Sequence, residues 1–139
     1  DWPDRWEFQL VVHLVGHLGV AHQQGVSLSR EQLMELEPQA SEIQIVRLLG
    51  RLGEARVVTR DEDGNWLLAR DLVSLSLGEL YLLGDYYLPL GEIDMLPNES
   101  AWDRAYLAAL ELIQRQSKGV WDKPLKDLYA DQPGNQETP

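Results

Sequence analysis

Residues 29–70, SREQLMELEPQASEIQIVRLLGRLGEARVVTRDEDGNWLLAR, hold the pattern on which the fold turns. Ser29 and Gln32 are spaced as a capping box, in which a hydroxyl accepts from the backbone three residues on and the Gln side chain reaches back. A helix therefore starts at Ser29 and runs to about Leu36, stopping before Pro38. Ser41 and Gln44 repeat the device and open a second helix, ending near Glu54. Ile45, Leu48, Leu49 and Leu52 form its apolar stripe at the helical period. At about 100° per residue, Gln44, Arg47, Arg51 and Glu54 share the opposite side. Two β-prone runs follow, 56–60 and 66–70, joined by Asp61-Glu62-Asp63-Gly64-Asn65, whose Asp-Gly pair is a hairpin turn signal.

Upstream, Trp6 to about Gln24 carries apolar residues on nearly every face, which predicts a buried helix or one shared with a neighbour. Gly25 supplies its left-handed stop, and Val26–Leu28 is a short β-prone step. Helix, short strand, two capped helices and a hairpin are the order of a winged helix-turn-helix. The expected fold is mainly α with a small β-hairpin, a winged helix-turn-helix with extra C-terminal helices. Downstream, 75–83 reads as a further helix with Ser76 and Glu79 as its capping box, and 84–98 is broken by Pro89, Gly91 and Pro97. Ser100 opens a long amphipathic helix with Trp102, Ala105, Tyr106, Ala109, Leu110 and Ile113 expected inward, Trp66 and Trp102 serving as core anchors. Pro124 suits the first position of a last short helix. The organisation read is 1–5 a cut end or linker, 6–72 the winged-helix core, 73–130 a helical extension of the same domain, and 131–139 a disordered tail.

Composition narrows the function. The chain has 139 residues and no cysteine, which excludes a disulfide scaffold, a thiol nucleophile and Cys-based metal sites. Twenty-three acids against twelve Lys and Arg give a net charge of −11, repelling the phosphates a nucleic-acid binder must attract. Half the bases do lie in 27–70, where a DNA-reading helix would need them. Glu42 and Glu54 on the second capped helix, and three acids at the hairpin tip, count against a duplex there. The uncharged run Leu10–Ala21, interrupted by two histidines, is too short for a bilayer, which needs about 20 apolar residues. A start at Asp1, without methionine, leads us to expect a piece cut from a longer chain.

His13 and His17 stand four apart on one helix, a spacing that suits a metal, but Leu14 follows His13 where a His-Glu-x-x-His site needs Glu. They read instead as partly buried, hydrogen-bonded histidines. The serines are mostly caps, and neither a nucleophile elbow nor a phosphate-cradling loop is present. No catalytic residue, metal ligand or cofactor is assigned.

Residues 9–130 as a group, notably LVVHLVGHLGVAHQQGVSLSREQL (10–33), IVRLLGRLGEARVVTRDEDGNWLLARDLVSLSLGELYLL (45–83) and WDKPLKDLYAD (121–131), resemble the carboxy-terminal cytoplasmic extension of YihY/BrkB-type bacterial inner-membrane proteins. Those proteins were once labelled ribonuclease BN. The resemblance implies transmembrane helices preceding Asp1 and a place on the cytoplasmic side of the inner membrane. It carries over no catalytic residue, since His13, His17 and His22 do not make the His-x-His-x-Asp-His cluster of zinc-dependent processing nucleases.

The expectation is a non-catalytic module for protein contact, self-association or regulation. Its candidate partner-binding residues are Arg47, Arg51 and Arg56 as an exposed stripe, with Trp2 and Trp6 as apolar contacts. A membrane is expected only through the missing upstream part. A transcription regulator's DNA-binding domain is the alternative, and a tRNA-processing nuclease a third.

Overall fold

The computed structural model describes residues 1–129; the expected tail at 131–139 lies outside them. The described chain is mainly helical with one small antiparallel sheet. It divides between Pro89 and Leu90 into two compact units.

In the first unit, a short 3-10 turn leads into α1 (Glu7–Gln23), followed by α2 (Arg30–Leu36), α3 (Glu42–Glu54), β1 (Val58–Arg60), β2 (Trp66–Leu68) and α4 (Leu77–Leu83). Both capping boxes close as the serine–glutamine spacing requires, Ser29 accepting from the Gln32 amide at 3.1 Å and Ser41 from that of Gln44 at 3.1 Å. Gly25 ends α1 at φ +71°, a conformation that costs glycine nothing. The amides of Gly25 and Val26 return to the carbonyls of His22 and Ala21, which closes a Schellman motif.

Helix α1 is the centre of the core. Phe8, Leu10, Val11, Leu14 and Leu18 are all at most 1% exposed, and the helix packs against α2 and β2. Fully burying each such side chain is worth roughly 1.5–3 kcal/mol, so this helix dominates the unit's stability. Helix α3 turns Ile45, Leu48, Leu49 and Leu52 inward and lies against α2 and β1.

The hairpin pairs Val58 with Leu68, Thr59 with Leu67 and Arg60 with Trp66. Val26–Leu28 contributes one bridge, Leu28 and Trp66 exchanging backbone hydrogen bonds of 2.9 and 2.7 Å. The turn is a five-residue loop and not a two-residue one. Asp61 organises it by accepting from the amides of Asp63 and Asn65 and from the Ser27 hydroxyl at 2.6 Å. Those hydrogen bonds, Ser27's first, hold the Asp61 carboxyl below its ordinary pKa. Asp61 is therefore turned back into its own loop, and only Glu62 and Asp63 of the three tip acids face outward.

Two expectations are corrected here. Residues 1–5 are not a free linker: Gln44 donates to the Trp2 carbonyl at 2.7 Å and accepts from the Trp2 amide at 3.2 Å, and the Trp2 ring is only 8% exposed. The box at Ser76 closes on one side alone, because the Glu79 carboxylate pairs with Arg70 at 2.7 Å.

The second unit has a 3-10 segment (Leu90–Met95), α5 (Ala101–Trp121) and α6 (Leu125–Tyr129). Ser100 caps α5 by accepting from the Asp103 amide, while Asp103 accepts from the Glu99 amide. That lock draws Asp103 inward and sets the rotation of the helix. Asp103, Tyr106, Leu107 and Leu110 form its buried stripe, whereas Trp102 and Ile113 are 36% and 39% exposed and Ala105 is exposed. Trp102 is thus not a core anchor; Trp66 is, at 7% exposed.

Candidate functional site

Three polar residues of the buried helix α1, Glu7, His13 and His17, are met by polar groups from other elements. At its start, Glu7 accepts from Arg47 of α3 through both guanidinium Nη atoms and from Gln44 Nε2 at 3.2 Å. A two-pronged pair of this kind holds the guanidinium in one orientation. The hydrogen bonds that Arg47 donates to Glu7 push its pKa further up. Two turns on, His13 Nδ1 lies 3.0 Å and His17 Nε2 2.6 Å from the two oxygens of one carboxylate, Glu37. An ionised carboxylate only accepts, so each ring turns a protonated nitrogen toward it. Burial alone would raise the Glu37 pKa; the two imidazole hydrogen bonds outweigh burial and lower it. Among the described residues no group of three such side chains is set to hold a metal ion.

These pairs change the candidate stripe. Gln44 is buried and Arg47 is anchored to Glu7, so neither belongs to a free outer face. Trp2 sits in the core, edge-on to His13 with ring centroids 5.5 Å apart, and is not available to a partner. Trp6 is half-buried beneath Arg5. Arg51 and Arg56 are exposed. Arg56 holds φ +62° as the left-handed stop of α3, where the amides of Arg56 and Val57 return to the carbonyls of Gly53 and Leu52. A residue bearing a Cβ there costs on the order of 1 kcal/mol relative to glycine.

What remains outward on α3 is a face that sequence reasoning passed over. Ile43 is 79% exposed and Val46 39%, with Gly50 a turn further along and exposed. Val46 also lines an open groove with Arg30, Arg60, Asp63 and Trp66. The groove's cations are occupied: Arg30 pairs with Glu31 and Glu42 at 3.0 and 3.2 Å, and Arg60 stacks over Trp66 at 4.4 Å. Ile43, Val46 and Gly50 stand at i, i+3 and i+7, beside the stronger stripe of Ile45, Leu48 and Leu52.

The described residues thus define a small, mainly helical chain with exposed apolar residues on α3, and no described helix is long and apolar enough to cross a membrane. Comparison with known proteins finds relatives. The chain is 34% identical over 125 residues to a UPF0761 membrane protein of Halorhodospira halophila, covering 90% of this chain and 27% of that protein. It is 32% identical over 133 residues to a UPF0761 membrane protein of Xanthomonas axonopodis pv. citri, covering 96% and 32%. The chain spans about a third or less of these curated relatives. No family model matches it. No solved structure matches it either.

Proposed function

We propose that this chain is a non-catalytic module of a multi-span membrane protein of the YihY/BrkB type, placed on the cytoplasmic side of the bacterial inner membrane. We read α2, α3 and the β1–β2 hairpin as a winged helix-turn-helix that works by protein contact. The setting is supported by relatives that are themselves named membrane proteins and of which the chain covers only 27–32%. The mode of action rests on one observation: the exposed residues of α3 are Ile43, Val46 and Gly50 together with Glu42, Arg51 and Glu54, a mixed apolar and acidic surface where a duplex reader would carry Arg, Lys, Asn or Gln. Apolar atoms there gain from being covered by protein and gain nothing from phosphate. Arg51 and Arg56 flank the face as polar rim.

The test is site-specific. A photo-crosslinking residue placed at Arg51 in the full-length membrane protein should give discrete protein adducts in cells, lost when Ile43 and Val46 are both changed to Glu. Duplex DNA retarded by the chain at low salt, with the complex lost in Arg51→Glu plus Arg56→Glu, would establish the regulator reading instead.

A further inference from the structure

From Glu111 to Trp121 every residue of α5 except Ser117 is exposed, and α6 stays exposed to Tyr129. This stretch has an order of its own. Projected at about 100° per residue, Ile113, Ser117, Val120 and Trp121 fall on one side and Arg115, Lys118 and Gly119 on the other. Helix α6 repeats the arrangement, with Leu125 and Leu128 on one face and Lys126 beside them. Val120, Trp121, Leu125 and Leu128 are 69%, 75%, 68% and 68% exposed. That is a dense apolar patch for a water-facing surface.

Charge says what covers it. All three lysines of the chain, Lys118, Lys123 and Lys126, fall here. Residues 112–129 carry four bases (with Arg115) against two acids, Asp122 and Asp127, a local net of +2 in a chain of net −11. We propose that the last turns of α5 together with α6 lie flat on an anionic lipid surface, Trp121, Leu125 and Leu128 entering the headgroup boundary and the lysines snorkelling to phosphate. The sequence alone assigned membrane contact only to the upstream part of the parent protein; this contact is made by the chain's own residues and involves none of those on α3. A second copy is the poorer occupant, since a two-fold interface on this patch would bring six lysines together.

Co-sedimentation of the 139-residue chain with phosphatidylcholine vesicles, with and without one-third phosphatidylglycerol, tests the proposal. Binding is expected only with the anionic lipid and should weaken with salt. Each lysine near such a surface is worth roughly fivefold in affinity, so Lys118→Glu/Lys123→Glu/Lys126→Glu should lose ~100-fold or more. Trp121→Ser/Leu125→Ser should lose at least about tenfold with the charge intact. All five positions are exposed, so both variants should keep the wild-type urea midpoint. Equal pelleting with neutral vesicles, wild-type binding by the lysine variant, or a dimer in lipid-free sedimentation velocity that Trp121→Ser dissolves would each overturn it.

Discussion

The two units use positive charge in opposite ways. All seven cations of residues 1–89 are arginines, and three of them are clamped to carboxylates: Arg30 to Glu31 and Glu42, Arg47 to Glu7, Arg70 to Glu79. The lysines all lie in 118–126 and make no ion pair among the described residues. The chemistry matches the use. A guanidinium is a planar fork that fixes the angle between two elements, whereas an ammonium is a hydrated point charge suited to diffuse attraction. In the first unit charge holds the architecture together; in the second it stays available to something outside.

Tryptophan offers the sharpest way to break that contrast. Trp66 is 7% exposed and joins the hairpin, the Leu28 bridge and the Arg60 guanidinium, whereas Trp121 is 75% exposed. Trp66→Ala should cost about 4 kcal/mol, enough to unfold a marginal domain, and Trp121→Ala no more than about 0.5 kcal/mol. Urea denaturation followed by circular dichroism measures both. Equal costs would mean that the end of α5 is structural and not a contact surface.

A smaller effect isolates the polar clamps of α1. Glu37→Ala leaves His13 and His17 without their shared acceptor and should cost about 2 kcal/mol at pH 7. The sign with pH follows from the lowered Glu37 pKa. A depressed carboxylate stabilises the fold at pH values above its ordinary 4.5, and the contribution fades as pH falls through the lower folded value. The gap in urea midpoint between wild type and variant should therefore narrow below pH 4.5. A gap unchanged down to pH 3 would show that the carboxylate's charge contributes nothing.

Smallest is the stop of α3. Arg56→Gly relieves the left-handed residue at φ +62° and should add about 1 kcal/mol, read as a rise of a few degrees in Tm. If Arg56 also rims the contact face of α3, the same change should weaken crosslinking at Arg51 while the protein becomes more stable. A variant more stable and equally well crosslinked would take Arg56 out of the contact.

What could be read from the chain, and what could not, follows the reach of each interaction. The serine caps, the Gly25 stop, the hairpin and the burial of α1 were legible because each depends on residues a few positions apart. The cap at Ser100 was legible too, but the inward pull of Asp103 that rotates α5 was not. The candidate site was far less legible. Arg47 and Trp2 looked like surface because their partners lie 40 and 42 residues away, at Glu7 and Gln44, and no local pattern announces such a meeting. His13 and His17 were visible as a pair, yet the carboxylate between them comes from the end of α2, 20 and 24 residues on. The sequence by itself determined the elements, since backbone propensity and capping act over three or four residues. Only the tertiary structure decided which charges are spent inside the fold and which stay outside, because the free energy of a charge depends on what packing brings beside it.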